Sequence, residues 1–351
     1  RGIFRYVWTT PNNSTRTTTM PFKTRAVVAV SPEKVVLREV TVPDPAPGEV
    51  VVRAEYSSIS TGTERWVITG QFHAPGARPM PHPMVPGYQK AGVIEALGAE
   101  VTGLRVGQRV FATTSRMADD EVLPGWGGHI EHSVLPQREV IPLPEGLDLV
   151  KASALVLTQV GYNGGFRPPV GPGASALVIG DGLVGQWLAQ ALRHRGARVV
   201  LAGRRADRLA IAAKWSADVT ANVREMPLEE VAKREAPNGF DIVADSVGTR
   251  ASLEQIIPLA HHESHLVLNG YYREGENLLD IQLLHGREIT THAPAGWTRE
   301  RLVATLDLVA KDTMHVRELM THLMPVEKAS EAYDLVLRKP TEFLGICLKW
   351  Q

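Results

Sequence analysis

The sequence predicts an α/β fold in two parts: a small all-β, barrel-like domain first, then a doubly wound parallel sheet. Three observations predict it. Short strand-like runs separated by turns and prolines fill residues 24 to about 150. From about 151 to 293 strands alternate with helices, the pattern of a parallel sheet covered on both faces. The last apolar run, 343–348, reads as a strand able to return and complete the first domain.

Taken in order, Arg1 to Thr19 differ from the rest: Asn12 to Thr19 is polar and lacks an apolar period, and a flexible extension is expected over 1–23. It has no apolar core of a secretory signal. Met20 directly precedes the first strand, Arg25-Ala26-Val27-Val28-Ala29-Val30, and reads as a natural start; a transit peptide is the alternative. Further strands are expected at 35–37, 49–54, 92–97 and 108–112, with prolines at 43, 45, 47, 79, 81, 83 and 86 between them. In the second part strands are expected at 176–179, 197–202, 240–244 and 265–269, and helices at 204–215 and 251–260. Residues 299–311 and 326–337 also read as helical. Expected domain limits are 24–150, 151–295 and a returning segment 296–351.

The run Ala176-Leu177-Val178-Ile179-Gly180-Asp181-Gly182-Leu183-Val184-Gly185 carries the most chemistry. A buried strand ends in Gly-x-Gly-x-x-Gly, and Val184, Trp187, Leu188, Ala191 and Leu192 then fall on one helix face. Gly180 permits a tight turn, Gly182 admits a pyrophosphate against the backbone, and Gly185 lets helix and strand approach. The helix start, at Leu183 and Val184, offers free N–H groups to phosphate. This is a dinucleotide site. After the second strand an NAD enzyme usually has a carboxylate for the ribose hydroxyls; here Gly203-Arg204-Arg205 follows. An arginine pair suits a 2′-phosphate, so NADP(H) is the expected cofactor; solvated loop charges are the other reading. Ser246 and Asn269 end predicted strands, where such sheets bind ligands, and are expected near the cofactor.

Composition narrows the class. The chain has 351 residues, 44% hydrophobic and 22% charged, with 38 basic and 38 acidic residues. That balance gives no reason to expect nucleic acid or a membrane as partner. One cysteine, Cys347, makes neither an internal disulfide nor a cysteine-rich zinc cluster. No apolar run is long enough to span a bilayer. A cytoplasmic protein is expected.

Two further segments carry a resemblance. Val85-Pro86-Gly87-Tyr88-Gln89-Lys90-Ala91-Gly92-Val93-Ile94 resembles P-G-H-E-x-x-G-x-V, and Val101 to Val110 resembles V-x-x-F-x-x-G-D-x-V. With the glycine turn, these make residues 24 to 351 similar to the medium-chain dehydrogenase/reductase superfamily. The resemblance implies a GroES-like β-barrel catalytic domain, a Rossmann nucleotide-binding domain and a cleft between them. The departures bear on mechanism. Zinc members use a cysteine, the histidine of G-H-E and a third ligand; here Thr61, Tyr88 and, loosely, Val156 stand there. No metal is therefore expected. His261, His262 and His265 cluster, and read as solvated surface.

Zinc-free quinone and enoyl reductases carry N-P-[AS]-D where this chain has Thr61-Gly62-Thr63-Glu64, and Phe72 matches a tyrosine proton donor of some of them. Ser57 to Glu64 and the Pro-Gly-Tyr turn are most similar to the bacteriochlorophyllide dehydrogenase group, which implies oxidation of a secondary alcohol or reduction of the matching ketone. By the same resemblance Tyr88 is the expected proton or oxyanion donor, or else an aromatic filling a vacated metal site. Thr63 is the expected relay and Thr61 a second donor, each with a turn-stabilising alternative. Glu64 reads as a structural carboxylate. Thr158 is expected over the nicotinamide, and Trp126, Tyr162 and Gln89 at the substrate pocket. The expected function is NADP(H)-dependent interconversion of a secondary alcohol and a ketone on a small-molecule substrate, without zinc. Enoyl or quinone reduction and a non-catalytic NADPH-binding role are the alternatives. A homodimer is expected through the edge strand Glu288 to His292.

Overall fold

The structure, a computed structural model, describes residues 21–72, 80–273, 275 and 278–351. The expected extension lies outside them except for residues 21–23, and the first strand already begins at Phe22.

The first part comprises β1 (Phe22–Ser31), β2 (Lys34–Val42), β3 (Glu49–Ser58), α1 (Thr63–Ile68), β4 (Lys90–Leu97), β5 (Arg109–Ala112), β6 (His132–Pro136) and β7 (Val140–Pro142), then α2 (Leu149–Ser153) and α3 (Leu155–Gly165). The nucleotide part runs β8 (Ser175–Ile179), α4 (Leu183–His194), β9 (Arg198–Gly203), α5 (Ala206–Trp215), β10 (Val219–Asn222), α6 (Leu228–Glu235), β11 (Phe240–Asp245), α7 (Arg250–Ile256), β12 (Ala260–Leu268), α8 (Gln282–His285) and β13 (Thr290–His292). The chain ends with α9 (Arg299–Ala310), β14 (His322–Pro325), α10 (Ala329–Arg338) and β15 (Ile346–Lys349).

The nucleotide sheet has the order β10-β9-β8-β11-β12-β13, with every pairing parallel. Its central strands β8, β9 and β11 are buried on both faces, and side-chain alternation divides them. Ala176 and Val178 of β8, Val199 and Leu201 of β9 and Ile242 of β11 pack into one core, against Leu188 and Leu192 of α4. Leu177, Ile179, Val200, Ala202 and Val243 pack into the other, against Val231 of α6 and Leu253 of α7. The predicted α4 face is real: Trp187, Leu188, Ala191 and Leu192 are fully buried, and the Trp187 indole donates to the His315 carbonyl at 3.0 Å.

Two boundaries shifted, one of them at a proline. The helix expected over 251–260 stops at Ile256, because Pro258 cannot continue it; a 3₁₀ turn over 257–259 leads into β12 at Ala260. The strand expected at 343–348 begins only at Ile346.

In the catalytic part, β3 is central and pairs with β4, β6 and β15. The returning tail pairs Cys347 with Ser58, Leu348 with Ser57 and Lys349 with Tyr56, antiparallel. The C-terminal strand thus fixes the end of β3, from which the site's hydroxyl-bearing segment departs.

Candidate active site

At the end of β8 the chain turns at Gly180, whose φ of 115° excludes a side chain. Gly182 precedes α4 with no side-chain cap, so the first N–H groups of that helix, at Leu183 and Val184, stay free for an anion. A Cβ on Gly182 would meet nothing within 4 Å; one on Gly185 would lie 2.0 Å from the Gly180 carbonyl oxygen. The turn is therefore closed on its protein side and open on its outer side, as a pyrophosphate requires. Ser246 joins it, donating from Oγ to the Ile179 carbonyl at 2.9 Å. Asn269 follows β12, with its Nδ2 on the Val160 carbonyl at 3.3 Å and its Oδ1 buried without a partner among the described residues. The residues present fit a bound dinucleotide.

At the end of β9, Gly203 has no room for a side chain, since its Cβ would sit 2.4 Å from Asp181 Oδ2. That oxygen accepts the backbone N–H groups of Arg204 at 2.7 Å and Arg205 at 3.0 Å. Arg208 approaches the other oxygen at 3.5 Å. Arg205 forks onto Asp207, whose carboxyl is held below its usual range by that guanidinium. Arg204 is exposed and its side chain has no hydrogen-bond or ion-pair partner among the described residues.

Across the molecule Tyr88 is buried, and its hydroxyl donates to Ser60 Oγ at 2.5 Å. Burial pushes the phenol up to about 12, with the hydroxyls of Ser60 and Thr63 pulling the other way. It stays a neutral donor at any physiological pH. Thr61, next to Ser60 in sequence, is half-buried, and its hydroxyl makes no hydrogen bond among the described residues.

A buried network supports this segment. Glu64 Oε1 accepts the Ser60 N–H at 2.7 Å, while Oε2 accepts from the Tyr333 hydroxyl and from His129 Nε2, the latter at 3.0 Å. His129 Nδ1 meets Ser57 Oγ at 2.8 Å, which receives the Trp350 indole N–H at 2.9 Å. With both oxygens engaged, Glu64 holds the Ser60 turn.

Tyr88 also belongs to a row of rings. It stacks on Trp297 (centroids 5.4 Å apart, planes 28°) and meets Trp126 edge-on at 5.3 Å. Trp126 touches Phe72 at 5.4 Å, and Phe72 stacks on Tyr271 at 5.3 Å. Tyr271 follows Asn269 by two residues, so the row links Tyr88 to the ligand-binding edge of the nucleotide sheet.

Three expected residues point elsewhere. Gln89 is fully buried, donating to the Ser58 carbonyl and accepting from the Leu157 N–H, both at 3.1 Å; both ends of its amide are used inside the protein. Thr158 is buried and donates back to Ala154 in its own helix, at 3.0 Å. Tyr162 stacks on Phe166 at 4.1 Å and is not part of the ring row. Ser60, His129, Tyr271 and Trp297 were not anticipated. Of the histidine cluster, His261 pairs with Asp241 at 3.0 Å and His265 with His292 at 3.2 Å. Among the described residues no group of three or more His, Cys, Asp or Glu is arranged to hold a metal ion, and no helix is long and apolar enough to cross a membrane.

Comparison with known proteins agrees with this architecture. Residues 46–145 match the family model "Alcohol dehydrogenase GroES-like domain", and residues 184–311 match "Zinc-binding dehydrogenase". A 2-desacetyl-2-hydroxyethyl bacteriochlorophyllide A dehydrogenase of Cereibacter sphaeroides is 28% identical, covering 94% of this chain and 99% of that protein. An alcohol dehydrogenase of Cupriavidus necator is 27% identical, over 93% and 98%. Among solved structures, a zinc-binding dehydrogenase of Sinorhizobium meliloti bound to NADP has a TM-score of 0.81 at 20% identity, covering 94% of this chain and all of that one. An alcohol dehydrogenase of E. coli complexed with NADH also scores 0.81, at 22% identity, over 93% and 99%. With a GroES-like domain beside a Rossmann-like domain whose glycine turn is fit for a nicotinamide dinucleotide, the chain belongs to the medium-chain dehydrogenase/reductase superfamily and is an oxidoreductase.

Proposed function

We propose that the protein is a zinc-independent, NADP(H)-dependent oxidoreductase that interconverts a secondary alcohol and a ketone. The observation that carries this reading is the Tyr88–Ser60 pair, a neutral phenol hydrogen-bonded to a hydroxyl where zinc relatives carry a metal ligand. Threonine, tyrosine and valine are poor zinc ligands, whereas a phenol polarises a carbonyl by hydrogen bonding. The nicotinamide cofactor, when bound, supplies or accepts the hydride. Tyr88 gives a proton to the carbonyl oxygen during reduction and takes it back during oxidation. Ser60 orients the phenol and bridges it towards the Glu64 network, and Thr63 offers a second hydroxyl beside it.

Exposed Arg204 and the adjacent Arg205 favour the 2′-phosphorylated coenzyme, as does the missing carboxylate at 203. We include a homodimer in the reading: β13 is the free edge of the nucleotide sheet, and Leu278 and Ile281, 76% and 69% exposed, lie in the segment leading into it. Light scattering on the purified protein tests that part.

The enzymatic test is oxidation of NADPH and NADH with a panel of ketones, enones and quinones. Ketone reduction with NADPH is expected, and Tyr88→Phe should lower kcat about 10²–10⁴-fold, the usual worth of a positioned proton donor. Activity confined to enones, or full turnover by Tyr88→Phe, overturns the reading.

A further inference from the structure

Arg167 and Arg301 converge on one atom. Arg167 Nε and Arg301 Nη1 each donate to Asn163 Oδ1 at 3.0 Å. Arg167 lies just beyond the end of α3, Asn163 within it, and Arg301 in the first turn of α9, which packs against α3. Two guanidiniums thus share a single neutral oxygen, and neither forms an ion pair among the described residues. An amide carries no charge to offset theirs, whereas charges taken from water are as a rule paired.

The neighbours add no counter-charge. Glu300 is exposed and turns to the start of its own helix, where its own backbone N–H and the Thr298 hydroxyl hold it below its usual range. Burial and the Arg167 charge press the Arg301 guanidinium down from its ordinary value. His292 is also within reach of the Arg167 charge, which adds to burial and to His265 in lowering its proton affinity. Donors meanwhile go unused. Arg301 Nε is buried without a partner, and Asn163, 4% exposed, makes no hydrogen bond through Nδ2, among the described residues. Gln159, one turn before Asn163 on the same face of α3, is fully buried with neither end of its amide bonded among them.

We infer that the seam between α3 and α9 holds a binding site for a small oxyanion, a phosphate or carboxylate group, gripped by Arg167 and Arg301. Each guanidinium spends one N–H on Asn163 and keeps the rest of its planar fork, the geometry that suits such oxygens. One bound anion offsets both charges and takes up the idle donors. The site is separate from the coenzyme's phosphates. His292 stands on β13, four strands from β9 in the sheet order, about 19 Å at 4.8 Å per strand, and Arg204 and Arg205 follow β9. The inference does not depend on the reductase reading.

The test is calorimetric titration of inorganic phosphate into the protein saturated with NADPH or NADH, whichever binds more tightly, so that the coenzyme's own phosphate positions are filled. Saturable binding is expected. Arg167→Gln and Arg301→Met should each weaken it about 10- to 100-fold, and Arg301→Lys, which keeps the charge without the fork, by less. Arg224→Gln, which removes an exposed charge after β10, should leave it unchanged. Phosphate should raise the melting temperature of the parent more than that of Arg167→Gln. Without phosphate, Arg167→Gln should melt no lower than the parent, because it removes a like-charge contact. Competition by the keto acid 4-oxopentanoate assigns the acidic group to a larger ligand, and no competition assigns the site to a free ion; both support it. Absence of saturable binding, or binding that Arg167→Gln and Arg301→Met leave unchanged, overturns the inference and makes the two arginines a brace between helices.

Discussion

Arg205 and Asp207 form a two-point fork, Nε to Oδ1 at 2.9 Å and Nη2 to Oδ2 at 2.6 Å. Arg205 is thus already engaged, whereas the side chain of Arg204, its exposed neighbour, has no hydrogen-bond or ion-pair partner among the described residues. Arg204→Ala is expected to weaken NADPH binding about 10- to 100-fold, since a hydrogen bond to a charged group contributes roughly 1.5–3 kcal/mol. NADH binding should change less than about twofold. Coenzyme titrations followed by fluorescence check this, and equal weakening of both coenzymes counts against the 2′-phosphate role.

Asp207→Asn should act the other way. It removes a competing carboxylate, and the exposed pair it breaks stabilises the fold by less than about 1 kcal/mol. NADPH affinity should rise severalfold at low salt, with the gain shrinking as ionic strength increases. Unchanged affinity would place Arg205 outside the coenzyme site.

Two glycines separate cofactor binding from folding. A methyl at Gly182 meets no protein atom, so Gly182→Ala should keep the melting temperature while losing affinity for both coenzymes. A methyl at Gly185 collides with the Gly180 carbonyl and with Ser246 Oγ, 2.5 Å away, so Gly185→Ala should lower the melting temperature as well. Calorimetry and coenzyme titration on the two variants read the difference; a Gly182→Ala protein that binds NADPH normally excludes the turn as the pyrophosphate site.

The nucleotide half was legible because its signal is local. Ten consecutive residues specify strand, turn and helix, and each glycine has its own steric reason. The catalytic half is assembled from distant pieces. Ser60 and Tyr88 are 28 positions apart, Glu64 and His129 are 65 apart, and nothing in the spacing of Ser57, Ser58, Ser60, Thr61 and Thr63 says which hydroxyl faces the phenol. Gln89 was misplaced because it follows the Pro-Gly-Tyr turn and precedes β4, where no periodicity says which way a side chain faces. Tyr88 turns towards Ser60, whereas Gln89 faces Ser58 and Leu157. The ring row was invisible because Trp297, Tyr88, Trp126, Phe72 and Tyr271 sit in five separate loops and turns, where no periodicity applies.

Glu64 illustrates what such a buried cluster contributes. Glu64→Ala leaves the Ser60 N–H, the Tyr333 hydroxyl and His129 Nε2 without their acceptor, all of them buried. The cost should be about 3–5 kcal/mol, as for breaking a buried charged pair. Glu64→Gln keeps an acceptor for the Ser60 N–H and should recover part of it. Thermal melts of the two variants test the order; equal stability of Glu64→Ala and the parent contradicts it.

Lys90 gives a prediction in pH. It is fully buried, and its Nζ donates to the carbonyls of Gly127 at 2.8 Å and Thr114 at 3.0 Å, with Thr113 at 3.4 Å. A neutral amine has two N–H donors, enough for the two shorter contacts. Burial lowers the group from its ordinary 10.5 to about 7. The unfolded chain therefore binds a proton that the folded protein lacks between pH 7 and 10.5, so this lysine makes stability rise with pH across that window. Tyr88 acts oppositely and only above pH 10, where the unfolded phenol ionises and the folded one, at about 12, does not. Denaturant melts from pH 6 to 10 should show a rising component that Lys90→Met abolishes. A Lys90→Met protein with the parent's pH slope would mean that the buried lysine stays charged.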